Sequence, residues 1–425
     1  MQIQKQEYQA VIGLDWADKK HDICLMALND SGERVIEYAV VKHDPGEIHE
    51  WARRLQERFG QEARIAVALE LERGPVVSAL LEYDIFVLFP VRPDGLAKYR
   101  QTFTPSRAKD DPSDAFLAAD FVLRHPERFS PLRPERPQMR QLRRLVQDRR
   151  QLVQDRTRLL NRLTSHLKAY HPLVLSLFRD KFTDLFLDFV DRWPSLDALK
   201  RARPETLRAF FHERNVRRST VIEKRLEAIA DARPLTRDTA VIEPAVLMVK
   251  GLAGQLRQIN KAVESFDDAI ENVCSKLPDY AIFKQLPGAG AALAPRLLAA
   301  FGENRERFPN AASMQKYAGV APVTERSGQK SWVHWRFICS TFLRQSFVEW
   351  VGETIPRSFW AKAFYERHRA KGVSHNAALR ALAFKWIRIL WRCWNDRTIY
   401  DESTYLAALK RRGSPLLKFA ADSSP

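Results

Sequence analysis

The sequence predicts an α/β unit at the front of the chain and an all-α remainder, and three observations predict it. Within residues 10–125 short apolar runs alternate with amphipathic stretches. Residues 138–280 carry apolar positions at helix spacing almost throughout. Residues 281–425 combine a helical pattern with seven of the ten tryptophans. At ~150 residues per domain, 425 residues allow two or three domains, expected here as 1–130, 131–280 and 281–425.

Val11–Trp16, Asp22–Leu28 and Arg34–Val41 read as strands, the last two joined by the turn signal Asn29-Asp30-Ser31-Gly32. Gly46–Phe59 reads as a helix, because Ile48, Trp51, Leu55 and Phe59 fall on one face. Ile65–Leu69 is a short buried strand, Val76–Tyr83 a helix and Ile85–Phe89 a further strand. A last helix starts near Pro112 and runs through Phe121. A three-strand meander followed by helix, strand, helix, strand gives a mixed sheet. Pro126–Pro137, with four prolines, is a linker.

In the middle region Val146, Val153, Leu160 and Leu167 recur every seven residues. The companion line Leu142, Arg149, Arg156, Leu163 is interrupted by two arginines. A second run, Val249, Leu252, Leu256, Ile259, Val263, Phe266, Ile270, Val273 and Leu277, keeps the 3-4 spacing of a coiled coil. Heptads alone leave open whether the seam is a hairpin within one chain or joins a dimer.

The charge narrows the function. Lys and Arg number 69 against 52 Asp and Glu, a formal net charge of +17, with 45% hydrophobic and 28% charged residues. That is a folded protein whose basic excess makes nucleic acid the leading partner. Apolar runs such as Ile85–Phe89 fall far short of the ~18 residues that span a bilayer, and no leader pattern stands in MQIQKQEYQA, so neither a membrane nor secretion is expected. Cys24, Cys274, Cys339 and Cys393 are scattered without a C-x-x-C pair, against a disulfide framework or a zinc knuckle. The expected setting is the cytoplasm.

Three constellations carry chemistry. Asp15 ends the first strand in Ile12-Gly13-Leu14-Asp15, and Glu70 ends the fourth in Val67-Ala68-Leu69-Glu70. Asp111 and Asp114, in Lys109-Asp110-Asp111-Pro112-Ser113-Asp114-Ala115, lie three apart at a helix start, on one face. Carboxylates brought together repel unless a hard cation sits among them. Two Mg²⁺ about 3.5–4 Å apart could activate an attacking oxygen and stabilise a leaving one. Alternatively, Asp111 or Asp114 merely caps its helix. Asp18, Asp22, Glu72 and Asp110 are reserves for the same role.

The second constellation is Leu286-Pro287-Gly288-Ala289-Gly290 before the apolar run Ala291–Phe301. Gly288 and Gly290 could place backbone N–H groups against a DNA phosphate, as in a helix-hairpin-helix, or form a plain tight turn. Pro295 fits only near the first turn of that helix. The third is Ser327 in a polar loop between Arg326 and Lys330. Those cations could hold a phosphate while the serine oxygen attacks phosphorus; a solvated turn serine is the plain alternative. The tryptophans are mostly core, the rest available for stacking on bases.

These blocks resemble a known family. Ile12-Gly13-Leu14-Asp15, Ala68-Leu69-Glu70 with Arg73-Gly74-Pro75, and Lys109–Ala115 look like the RuvC-like DEDD half of insertion-sequence transposases of the 110/1111 type. Leu286–Gly290, Arg307-Phe308-Pro309, Tyr317–Pro322 and Ser327-Gly328 look like their second half. The resemblance implies a ribonuclease-H-like domain in which Asp15, Glu70, Asp111 and Asp114 bind Mg²⁺. It implies Ser327 as a nucleophile that bonds covalently to DNA, with Ser331 and Ser340 as lesser candidates. It further implies a homodimer or homotetramer with composite active sites, acting on double-stranded element ends and target DNA under a guide (bridge) RNA, in a prokaryotic, nucleoid-associated setting. The Arg-rich helix, with Arg149 and Arg156, becomes a candidate nucleic-acid contact. After Ser327-Gly328 the chain departs from the commoner Gly/Lys/Arg-rich pattern, reading Gln329-Lys330-Ser331-Trp332-Val333-His334-Trp335-Arg336. The expected function is therefore a DNA transposase/recombinase. A RuvC-type endonuclease that cuts by water, or an inactive nucleic-acid-binding relative, are the alternatives.

Overall fold

The computed structural model describes residues 8–29, 31–103, 111–337 and 339–417. The chain divides into two compact units, Met1–Pro134 and Glu135–Pro425. Lys109, Asp110 and the turn residue Asp30 lie outside the described residues.

The first unit runs β1 (Ala10–Trp16), β2 (Lys20–Leu28), β3 (Arg34–Lys42), α1 (Pro45–Phe59), β4 (Ile65–Leu69), α2 (Pro75–Leu80), β5 (Phe86–Pro90), α3 (Pro93–Gln101) and α4 (Asp111–Arg124). The sheet order is β3-β2-β1-β4-β5, with β1–β2 and β2–β3 antiparallel and β1–β4 and β4–β5 parallel. The alternation of the strands splits their side chains between two cores. Ile12, Leu14, Ile23, Leu25, Val67 and Leu69 pack with Ile48, Trp51 and Leu55 of α1 and Val76, Val77 and Leu80 of α2. Val11, Cys24, Met26, Ala66 and Ala68 pack on the other face with Ala115, Ala118, Ala119 and Val122 of α4.

Helix α1 starts where Asp44 accepts from the Gly46 and Glu47 N–H groups, ahead of Pro45 in the first turn. In this unit the sequence pattern does not announce α3, on which only Leu96 is buried, too little for a stripe.

The second unit opens with the long helix α5 (Pro137–Tyr170). Five shorter helices follow: α6 (Leu173–Leu177), α7 (Asp184–Arg192), α8 (Leu196–Lys200), α9 (Pro204–Glu213) and α10 (Ser219–Asp231). A second long helix is α11 (Thr239–Cys274), then α12 (Tyr280–Lys284), α13 (Gly290–Phe301) and α14 (Ala311–Tyr317). A two-stranded ribbon, β6 (Val323–Ser327) and β7 (Lys330–His334), precedes α15 (Thr341–Thr354), α16 (Phe359–Ala370), α17 (His375–Asn395) and α18 (Glu402–Arg411).

The two 3-4 repeats pair with each other, antiparallel and within one chain: Arg149 bonds Asp267, and Arg156 bonds Asn260. Met139, Leu142 and Val146 at one end share a core with Ile270, Val273 and the later helices, where Trp350, Trp360, Trp386 and Trp394 are fully buried. Leu160, Leu163 and Leu167 at the other end share a second core with Val249, Leu252, Leu256 and the phenylalanines of α7 and α9. The first of these cores runs across residue 280, so a boundary at 280/281 does not divide the packing. By length and composition α11 alone among the described helices could cross a membrane, but its apolar seam is committed to these two cores.

Pro295 sits buried in the second turn of α13, next to the first turn near which it is expected. One local expectation is corrected. Residues 323–334 are strands, not helix or open loop; the ribbon is solvent-exposed along most of its length, so no buried face marks it in the sequence.

Candidate active site

Strand register sets Asp15 and Glu70 at the ends of neighbouring strands of the first unit. Leu14 pairs with Leu69 across the parallel β1–β4 ladder, so Asp15 and Glu70 follow each other off adjacent strand ends. On the other side of β1, Asp15 is paired with Asp22 of β2. Because side chains alternate, Asp15 continues the face of Val11 and Gly13, and Asp22 that of Cys24 and Met26, which is the face covered by α4.

The approach of α4 is set by Gly13. A Cβ there would lie 1.8 Å from the Ala115 carbonyl oxygen, so only glycine lets the helix backbone rest on the strand. That contact fixes the first turn of α4, with Asp111 exposed and Asp114 only 4% exposed, beside the strand bearing Asp15. Asp114 Oδ1 lies 2.6 Å from Arg100 Nη2 at the end of α3. Asp22, 5% exposed, has Lys20 Nζ at 3.3 Å. Asp18 and Glu72, the other described reserves, are exposed.

As placed, no three His, Cys, Asp or Glu side chains among the described residues are grouped closely enough to hold a metal ion. The structure thus gathers the strand ends and the helix turn that bear the carboxylates, without closing the side chains on a common centre. The donor chemistry still suits a hard divalent cation: every candidate is a carboxylate, and buried Asp114 requires a positive partner, which Arg100 provides here. Arg100 and the cross-strand position of Asp22 carried no signal in the sequence, since one depends on an unannounced helix and the other on register.

In the second unit, Ser327 is the last residue of β6 rather than part of an open loop. It pairs with Lys330, and Arg326 pairs with Ser331. The two-residue connection has positive φ (58°) at Gly328 and not at Gln329, the pattern of a type II′ hairpin. Arg326, Ser327, Lys330 and Ser331 are all exposed at this tip. Ser340 is committed elsewhere: its Oγ caps α15, accepting from Leu343 N at 3.4 Å.

The glycine turn between α12 and α13 is explained first by packing. At Gly288 (φ 72°) a Cβ would come within 2.6 Å of the Glu353 carbonyl oxygen, and Trp350 Nε1 donates to the Pro287 carbonyl at 3.0 Å. Gly290 (φ 53°) is exposed, and no side chain caps the start of α13. Arg149 and Arg156 face inward. Arg149 makes two bonds to Asp267 (2.5 and 2.8 Å), and the Arg156 guanidinium stands 4.6 Å over the Phe182 ring. Burial, then the charge of Arg149, pushes the Arg156 guanidinium below its ordinary value. Trp332 is 44% exposed on the ribbon, while Arg344 and Arg380 both stand over the ring of Trp335.

Comparison with known proteins finds transposase relatives along the chain. Residues 12–172 match the family model DEDD_Tnp_IS110, described as Transposase, and residues 280–366 match the Transposase IS116/IS110/IS902 family. A Streptomyces coelicolor protein named as a mini-circle transposase for IS117 is 29% identical over 418 residues, covering 96% of this chain and 98% of its own. The 43.6 kDa protein of insertion element IS110 from the same organism is 24% identical over 302 residues, 70% of this chain and 73% of its own. The 42 kDa protein of insertion element IS900 from Mycobacterium paratuberculosis is 28% identical over 217 residues, 50% of this chain and 53% of its own. With matches in order at both ends and a relative aligned along nearly its full length, the chain belongs to the IS110 family of DEDD transposases.

Proposed function

We propose that this transposase mobilises an insertion sequence by cutting and rejoining DNA with Ser327 as nucleophile and Asp15, Glu70, Asp111 and Asp114 as the ligands of Mg²⁺. Asp22, opposite Asp15 in the sheet, is a further carboxylate on the same face. The observation that carries the reading is the placement of Asp15 and Glu70 at adjacent strand ends under a helix start bearing two more carboxylates. When bound, Mg²⁺ supplies Lewis-acid polarisation of the scissile phosphate and charge for the leaving oxygen.

The chain's own residues do the rest. The hairpin tip presents the Ser327 hydroxyl to solvent beside Arg326 and Lys330, whose charges can hold a phosphodiester and offset the negative charge gathering on phosphorus. Attack forms the Ser327 Oγ–P bond and breaks the bond from phosphorus to a deoxyribose oxygen. The serine proton is lost and the leaving oxygen gains one. Rejoining reverses these changes with a different deoxyribose hydroxyl, so no phosphodiester energy is lost as hydrolysis. Assembly as a homodimer or homotetramer, and guidance by an element-encoded RNA, belong to the same proposal and are supported by family membership. With a guide, sequence choice rests on base pairing and the protein needs only backbone contacts.

The test uses supercoiled element-end DNA with guide RNA and Mg²⁺. Ser327→Ala should abolish the covalent protein–DNA adduct. Asp15→Ala should abolish cleavage while leaving DNA binding within about twofold, since the fold and basic surface are retained. Cleavage that survived Asp15→Ala would remove the carboxylate assignment. Normal cutting by Ser327→Ala without an adduct would replace recombination with hydrolysis by a RuvC-type nuclease.

A further inference from the structure

A cleft in the helical unit gathers four arginines and is not used by the chemistry above. It encloses ≈ 460 Å³ where α5 and α11 meet the N-terminus of α13 and one side of α15. Arg149, Arg150, Arg158 and Arg296 line it, against only Asp267 and Glu349 of opposite sign.

The pairing within the cleft leaves positive charge over. Arg149 is matched to Asp267, and Arg158 to Asp155 outside it. Arg150 and Arg296, on α5 and α13, then share one carboxylate, with Glu349 Oε1 3.1 Å from Arg150 Nη2 and Oε2 2.6 Å from Arg296 Nη1. The Arg296 side chain is 11% exposed, bonds Ser346 Oγ through Nε, and has a buried Nη2 with no hydrogen-bond partner. Burial, with Arg150 and Arg149 adding like charge, pushes its guanidinium below the ordinary value, against the pull of Glu349. A buried cation with an unmet donor and a half-share of a carboxylate is costly unless a further anion completes it. Exposed Ala291 and Ala292 open the first turn of α13, uncapped by any side chain, onto the same space.

We infer that this cleft seats one backbone phosphate of a bound nucleic-acid strand, held by Arg150, Arg296 and the first turn of α13. The inference rests on the reading of the chain as a nucleic-acid-binding transposase, and it adds a contact remote in sequence from both Ser327 and the strand-end carboxylates. A tetrahedral phosphodiester, with one negative charge spread over two free oxygens, suits guanidinium forks and a helix start arriving from different directions, as one carboxylate ligand does not. The contact positions the strand and reads no base.

The decisive variant is Ala292→Glu. It adds a carboxylate at an exposed first-turn position, where a negative charge favours the helix, so folding is kept while the cleft's charge is opposed. Full-length protein carrying Ser327→Ala is titrated, by fluorescence anisotropy, into a labelled 20-bp DNA duplex and separately a 20-nucleotide RNA, across 50–300 mM KCl. Ala292→Glu and Arg150→Gln should each weaken binding about tenfold at 100 mM salt and flatten the log K against log salt slope by about 0.9 for duplex or about 0.7 for single strands. Loss confined to one polymer identifies which strand occupies the cleft. Unchanged affinity and slope on both polymers, with an unchanged or raised melting temperature for Ala292→Glu, overturns the inference even if Arg150→Gln misfolds. Binding is read without cleavage, so this failure is distinct from failure of the carboxylate and serine assignments, which cleavage alone decides.

Discussion

The two candidate chemical groups of this chain are held in opposite ways. The strand-end carboxylates ride on β1 and β4, central strands of a five-stranded sheet that are buried on both faces, with α4 seated against Gly13 so closely that its carbonyl would overlap a methyl group. The serine stands at the end of an exposed two-stranded ribbon that has no buried side of its own. Isolated hairpins are marginally stable in water. The contrast teaches that the elements bearing the carboxylates are arranged by folding, whereas the hairpin bearing Ser327 depends on what it meets to be held in place.

The contrast breaks most readily at Gly13. Gly13→Val should lift α4 off β1 and cost ~3 kcal/mol or more, the scale of severe overpacking, read as loss of the first unit's cooperative melting. A substitution there that left both melting and Mg²⁺-dependent cleavage intact would show that α4 is not positioned by the strand. Next comes Arg100→Ala. With side chains 18% and 5% exposed, removing the arginine takes a close cation from buried Asp114, and a loss of about 3 kcal/mol is expected in chelator. Millimolar Mg²⁺ should restore part of that loss in the variant and less in the parent, measured as the shift in melting temperature. Equal Mg²⁺ shifts in both would detach Asp114 from the metal site.

A pH scan sharpens the comparison between units. His171 in the helical unit is fully buried, neither ring nitrogen has a partner, and burial holds its pKa down at about 4. The unfolded chain takes up the proton near pH 6.5 and the folded one resists it, so stability is full above 6.5 and falls as pH drops toward 4, by up to about 3 kcal/mol. His171→Phe should flatten this decline in the helical unit and leave the α/β unit's acid profile unchanged. The smallest effect belongs to the ribbon: Ser327→Ala should alter melting by no more than ~0.5 kcal/mol, as befits an exposed site.

The sheet was readable because alternation and apolar runs mark strands buried on one or both faces, and β4 (Ile65–Leu69) has the bounds that its run of five apolar residues announces. Asp15, Glu70, Asp111 and Asp114 were readable as strand ends and a helix start. Asp22 as the partner of Asp15 was not, because pairing register is a long-range property. The ribbon was missed since Val-Thr-Glu-Arg-Ser and Lys-Ser-Trp-Val-His bury almost nothing, leaving no period to see. Arg149 and Arg156 read as interruptions of the seam and as candidate nucleic-acid contacts, because a charged side chain at a seam position shows no partner nearby in the sequence. Their partners Asp267 and Asn260, about a hundred residues away, are what make that position tenable.

The antiparallel pair of α5 and α11 is a beam with each end set in a separate core, and polar rivets at Arg149–Asp267 and Arg156–Asn260 lie between the two. Such a member can fray at one footing while the other stays firm, so amide exchange along it should sort into two protection classes that change over in the riveted stretch. Damage to the phenylalanine-rich end would then spare the tryptophan-rich end, and the helical unit would come apart in instalments rather than all at once.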